Sequence, residues 1–98
     1  MAKGIFNITT ATTTTLVELG QDKGVVRSIS VCNNHATLGS KVSIYLDDGT
    51  NQTYFTNQLA LPGTVTLFLN EGLSFNNAVF ALKITNTGSG LPLSVILK

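Results

Sequence analysis

The chain has 98 residues, a net charge of +1 and only 11% charged residues, against about 25% in an ordinary soluble domain. That length allows one small domain, and the near-neutral balance gives nothing to attract nucleic acid or an acidic membrane surface. Hydrophobic residues reach 43%, which excludes a disordered chain; the unusual class is uncharged polar, the Thr, Asn, Ser and Gly of strands, turns and contact surfaces.

From the N-terminus, MAKGIFNITT lacks the long apolar segment of a signal peptide or a membrane span, so the chain is expected to be made and folded in a cytoplasm. TTTTLVEL (12–19) is Thr-rich and turns apolar at Leu16 and Val17. VVRSISVC (25–32) alternates, with Val25, Ile29 and Val31 on one face and the small Val26, Ser28, Ser30 and Cys32 on the other. KVSIYL (41–46) sets Val42, Ile44 and Leu46 against Ser43 and Tyr45. TYFTN (53–57) is aromatic, and TVTLFL (64–69) sets Val65, Leu67 and Leu69 against Thr64, Thr66 and Phe68. VFALKIT (79–85) points Phe80, Leu82 and Ile84 inward and Lys83 outward, and LSVILK (93–98) aligns Leu93, Val95 and Leu97. No run of ten residues has helical periodicity; period two recurs throughout.

Turn residues separate these runs at Gly20–Gly24, Asn33–Ser40, Asp47–Thr50, Pro62–Gly63, Asn70–Gly72, Asn76–Asn77 and Thr87–Gly90. Short strands with turns at such spacing predict an all-β fold, a single β-sandwich or jelly-roll-like domain of seven to eight short antiparallel strands over residues 1–98. Strand order stays open between jelly-roll and immunoglobulin-like arrangements. Residues 1–12 have two readings, an extended arm that adds a strand to a partner's sheet or the first strand of the chain's own sandwich. Ser28, Ser30, Cys32, Ser43 and Tyr45 are suited to close packing, either against a neighbouring subunit or as a partly solvated sheet face.

VCNNH (31–35) holds the single cysteine, Cys32, and the single histidine, His35. One cysteine makes no internal disulfide. A catalytic thiol needs a helix N-terminus or a cation beside it, and a nucleophile and base need an orienting third group; the stretch offers a strand end and two turn-forming asparagines instead. Cys32 is therefore expected to be a small packed side chain and His35 an exposed loop residue. Structural zinc wants four Cys or His ligands, twice what the chain supplies. Asp47-Asp48-Gly49 reads as a hairpin turn rather than a calcium loop. NTGSGLP (86–92) lacks the lysine and helix of a phosphate-binding loop. The basic residues Lys3, Lys23, Arg27, Lys41, Lys83 and Lys98 are scattered away from the aromatics, unlike a nucleic-acid surface. No catalytic, cofactor or metal site is expected. Tyr45, Tyr54, Asp47, Asp48 and Asn51 gather near one hairpin, the composition of a sugar site without tryptophan, which leaves a carbohydrate-binding module as an alternative.

VVRSISVCNNHA, KVSIYLDDGTNQTYFTNQLALPGTVTLFLNEGLSF and FALKITNTGSGLPLSVILK together resemble the small structural proteins of tailed bacteriophage virions, especially those of large marine phages. The similarity runs over residues 25–98. It lies in the order of parts: a strand ending in Cys-Asn, a strand ending in Asp-Gly, an aromatic strand, Pro-Gly before a Thr- and Leu-rich strand, then Leu-Ser-Phe, Leu-Lys-Ile and Ser-Val-Ile segments. The resemblance implies a non-enzymatic β-sandwich virion component assembled in the host bacterial cytoplasm. It would be a capsid decoration or cement protein bridging capsid subunits, or a neck, tail or fibre module. Its implied partners are the major capsid protein or other virion proteins and further copies of itself, a trimer among the arrangements, with no nucleic acid and no membrane. No site residues carry over, because the pattern concerns strands and turns.

Overall fold

The structure is a computed structural model describing residues 4–20, 25–70 and 72–98; Lys3, Lys23, part of the Gly20–Gly24 turn and Glu71 of the Asn70–Gly72 turn lie outside them. The strands are β1 (Gly4–Ile8), β2 (Thr13–Val17), β3 (Val25–Val26), β4 (Ile29–Asn33), β5 (Ser40–Asp47), β6 (Gln52–Leu61), β7 (Thr66–Leu69), β8 (Leu73–Ser74), β9 (Ala81–Gly88) and β10 (Leu93–Leu97). One sheet, called A here, has the order β1-β10-β4-β7, the facing sheet B has β2-β9-β5-β6, and the two-residue strands β3 and β8 pair apart from them. Every pairing is antiparallel.

This order separates the two sandwiches that the sequence leaves open. The chain changes sheet at each connection between the eight longer strands except the β5–β6 hairpin. First and last strands pair, as do second and penultimate, so the wrap is jelly-roll-like and not the ABED/CFG order of an immunoglobulin domain. Gly4–Ile8 pairs with β10 over all five residues and forms one edge of sheet A.

Period-two apolar residues from both sheets meet in the middle. Ile8, Leu93, Val95, Leu97, Ile29 and Val31 come from sheet A and Val42, Ile44, Leu46, Leu82 and Ile84 from sheet B, all buried. Two departures from simple alternation have local causes. Leu16 and Val17 are neighbours and both buried, because β2 bulges between Thr15 and Val17 against β9 and the extra residue resets the alternation. Val26, rather than the expected Val25, is the inward residue. The strand breaks at Arg27-Ser28, whose N–H groups both donate to the Lys98 carbonyl, and the phase shifts by one residue before β4 begins.

The edge strand β6 is longer than expected, since TYFTN continues through to Leu61 as one strand. It spends ten residues against the eight of β5 by bulging twice, at Asn57-Gln58 opposite Ser43 and at Phe55 between the Ile44 and Tyr45 pairs. The predicted strand at 64–69 is shorter, Thr66–Leu69, and Val65 is exposed in the preceding turn.

Candidate functional site

VCNNH divides between three environments. Val31 is in the core. Cys32, one step along β4, points to the outer face of sheet A and is half-buried, its thiol donating to Asn34 Oδ1 at 3.5 Å. Asn34 Nδ2 donates in turn to Ser94 Oγ at 2.7 Å. The imidazole of His35 serves its own loop, with Nδ1 accepting the N–H groups of Thr37 and Leu38 at 3.1 and 2.9 Å. The thiol and imidazole do not engage each other among the described hydrogen bonds. His35 is half-buried rather than exposed, because its backbone is packed against Gly63, where a Cβ would lie 2.6 Å from the His35 carbonyl oxygen.

Asn33 dominates the stretch. It is completely buried, with Nδ2 donating to the Leu38 and Leu61 carbonyls at 3.0 Å each and Oδ1 accepting the His35 N–H at 3.0 Å. Its backbone N–H donates to Val65 O and its carbonyl accepts from Thr64. One side chain thereby ties the β4–β5 loop to the end of β6. Asn86 does the same for the β1–β2 connection, donating to Thr10 O at 3.2 Å and accepting the Thr12 N–H at 3.4 Å. Both asparagines continue an inward series, Ile29-Val31-Asn33 and Leu82-Ile84-Asn86, so both were readable from alternation where turn propensity suggested loop residues. Their roles are architectural.

The Asp47–Asn51 hairpin is likewise self-satisfied. Asp48 Oδ1 accepts the N–H groups of Thr50 and Asn51 at 2.8 and 2.7 Å, and these bonds hold its carboxyl below the ordinary carboxylate range. Asp47 accepts from Lys83 Nζ and from the Gly49 N–H, both at 2.8 Å, and is lowered in the same direction, the Lys83 bond being the largest cause. Among the described residues no group of three or more His, Cys, Asp or Glu side chains comes together as a metal site. The hairpin leads into a polar groove of about 300 Å³ on the outer face of sheet B, lined by Thr13, Lys41, Tyr45, Tyr54, Asn57 and Thr85 among others. Tyr45 and Tyr54 lie across the β5–β6 pair with ring centroids 5.0 Å apart. Tyr45 is buried, its hydroxyl 2.9 Å from Thr85 Oγ1; Tyr54 presents the exposed ring.

The outer face of sheet A has a different chemistry. Register lines up Ile5, Ile96, Ser30 and Phe68 in one row across β1, β10, β4 and β7, and Asn7, Ser94, Cys32 and Thr66 in the next. None of the eight is charged. Ile5 is 83% exposed and Phe68 58%. Ser30 and Cys32, marked in the sequence as close-packing residues, are the small centre of this face, whereas Ser43 and Tyr45 belong to sheet B and Ser28 is buried in the break between β3 and β4, its backbone paired with that of Lys98. Local alternation offers no reason to join Ile5 and Ile96, from opposite ends of the chain, to Phe68; only the sheet order does.

No family model and no curated protein sequence matches the chain. Among the solved structures that do match, two are each described as a pentameric capsid protein isolated from metagenomic phage sequences. They align over 99% of this chain with TM-scores of 0.55 and 0.56 and 15% identity. The chain spans 64% and 60% of their respective lengths. The likeness is one of fold.

Proposed function

We propose that the chain is a non-enzymatic structural protein of a phage virion, a decoration or cement protein that associates with its own copies and bridges subunits of the capsid shell. The observation behind this reading is the fold, shared along nearly the whole chain with capsid proteins that are themselves oligomers. The two uncharged rows on the outer face of sheet A agree with it, since residues without charge do little to oppose association. The reactive residues agree as well, because Cys32, His35, Asp47 and Asp48 are each engaged in holding their own loop or face. Copies repeated over a shell would multiply a modest contact.

The deciding experiment is an electron-microscopy map of the virion, with copy number measured on the same particles. Hundreds of copies on the shell support decoration; a single small ring at the neck or tail moves the protein there; absence from the particle refutes the proposal. Purified protein should bind expanded empty capsids.

A second reading, a carbohydrate-binding module, is favoured by the Tyr45–Tyr54 groove with its hydroxyl and amide lining. Glycan-array binding that is lost on Tyr54→Ala, together with no binding to capsids, would establish that reading in place of the first.

A further inference from the structure

The four edges of the sandwich are not alike. Both edges of sheet B are interrupted, β2 by the bulge at Leu16 and β6 by the two bulges at Phe55 and Asn57-Gln58. Bulges on an edge strand twist its free N–H and C=O groups away from any incoming strand, a common defence against edge-to-edge pairing. Both edges of sheet A lack that defence. β1 keeps register with β10 over Gly4–Ile8 without a shift, and β7 keeps register with β4 over Thr66–Leu69. Their sequences, GIFNI and TLFL, contain no charge and no proline, the other devices that blunt an edge. Among the described residues no strand lies beyond either.

We propose that these two edges pair with each other between copies, β1 of one molecule against β7 of the next, so that sheet A runs on from copy to copy around a closed ring. The inference rests on the self-association proposed above and names the surface responsible.

Three observations fit the edges together. Successive antiparallel steps make β7 run opposite to β1, so a neighbour related by rotation about an axis along the strands brings its β1 antiparallel to β7 and the alternation continues through the joint. The exposed apolar residues of the outer face stand at its two ends, Ile5 on β1 and Phe68 on β7, in the same cross-strand row; the joint would bring Ile5 of one copy beside Phe68 of the next and cover both. An apolar groove of about 240 Å³, lined by Val26, Ile29, Phe55, Leu69 and Leu73, opens at the β7 side, so the side that receives the neighbour is apolar between the sheets as well as on the outer face. The contact joins two different surfaces, and such head-to-tail contacts close into rings when the rotation allows. One strand-edge joint is smaller than the roughly 800 Å² per partner of a standard interface. Ring closure gives every copy two joints, so rings should form without a stable open dimer.

Native mass spectrometry of the full chain provides the test. Wild-type protein should appear as one closed ring species. Ile5→Glu and Phe68→Lys should each give single chains, and the double variant, with opposite charges facing across the joint, should regain the ring. Both positions are exposed, and unchanged circular dichroism and melting would show the fold intact. Asn7→Cys with Thr66→Cys, in a Cys32→Ser background, supplies a second measurement: oxidation should yield covalent rings of the wild-type copy number, where either cysteine alone gives at most crosslinked pairs. A wild-type chain that stays single at millimolar concentration, single variants that keep the ring, or a double variant that fails to regain it would overturn the proposal. A ring-forming protein absent from virions would refute the virion role alone. A shell bearing isolated, non-touching copies would refute the ring alone.

Discussion

The Asn33 side chain donates to the Leu61 carbonyl at 3.0 Å across 28 positions of sequence, in a fully buried environment. With its second donation to Leu38 O and its acceptance of the His35 N–H, it joins the β4–β5 loop to the end of β6 where backbone pairing no longer does so. Replacing Asn33 by Leu would leave two carbonyls and one N–H without partners. A buried polar group left unsatisfied costs about 1–3 kcal/mol, and part of this will be regained by water at the loop. We expect Asn33→Leu to lose about 2–4 kcal/mol in urea unfolding, with Cys32→Ser and His35→Ala each losing less. Equal losses for Asn33 and Cys32 variants would contradict the assignment.

The same loop cluster leaves no room at two glycines. A Cβ on Gly90 would lie 2.4 Å from the Leu38 carbonyl oxygen, 2.5 Å from Asn33 Nδ2 and 2.7 Å from the Gly39 carbonyl carbon. The obstacles are mostly backbone, which cannot swing aside as a flexible side chain would. Gly90→Ala and Gly63→Ala should each destabilise by about 1–3 kcal/mol, the range of overpacking. Gly72 has nothing within 4 Å of such an atom, so Gly72→Ala should stay within about 0.5 kcal/mol of wild type. Thermal melts of the three variants read the contrast directly.

The hairpin should respond to acid. Asp47 and Asp48 have carboxyls held below their ordinary values by Lys83 and by the N–H groups of Gly49, Thr50 and Asn51. A carboxylate with a depressed folded-state pKa contributes stability that is present above the unfolded value, about 3.9 for Asp, and lost as pH falls through the folded value. Stability should therefore hold from neutral pH down to roughly pH 4 and decline below it. Asp48→Asn keeps an acceptor for the two turn N–H groups and should flatten part of that decline; Asp48→Ala removes the acceptor and should weaken the hairpin at every pH. Lys83 is raised by the same Asp47 contact, so its contribution is complete below its unfolded pKa of about 10.4 and fades only as pH rises past its folded value. Hydrogen exchange of the Gly49–Asn51 amides across pH reports the hairpin locally.

How much of this was legible before the structure depends on what each feature rests on. The core of β5, β9 and β10 rests on alternation within one strand, and Val42-Ile44-Leu46, Leu82-Ile84 and Leu93-Val95-Leu97 are buried as expected. Asn33 and Asn86 obey the same alternation and were obscured only by the turn propensity of asparagine. The shifted phase at Val26 was not legible, because the break at Arg27-Ser28 depends on the Lys98 carbonyl at the other end of the chain. The bulges of β2 and β6 depend on how many residues the partner strand offers, again a non-local quantity. The outer face of sheet A is the extreme case: its Ile5–Ile96–Ser30–Phe68 row draws on four strands spread over the whole sequence, and alternation says nothing about which strands become neighbours.

The Asn57-Gln58 bulge gives a last prediction. Gln58 has φ of +52°, a left-handed conformation that costs a non-glycine residue roughly 1–2 kcal/mol. It persists because its N–H donates to Ser43 Oγ at 2.8 Å, beside a 3.4 Å bond from that hydroxyl to Asn57 Oδ1. Glycine reaches the same conformation without the Cβ penalty, while a β-branched residue is strained further. Gln58→Gly should therefore keep or raise stability, by up to about 1 kcal/mol, and Gln58→Val should lower it. Ser43→Ala removes the acceptor and should lower stability by about 1–2 kcal/mol, less so when combined with Gln58→Gly, since a residue free of the steric penalty needs less holding. A double-mutant cycle by thermal melting measures that coupling. Strictly additive effects would show that the Ser43 hydroxyl does not hold Gln58 in its left-handed conformation.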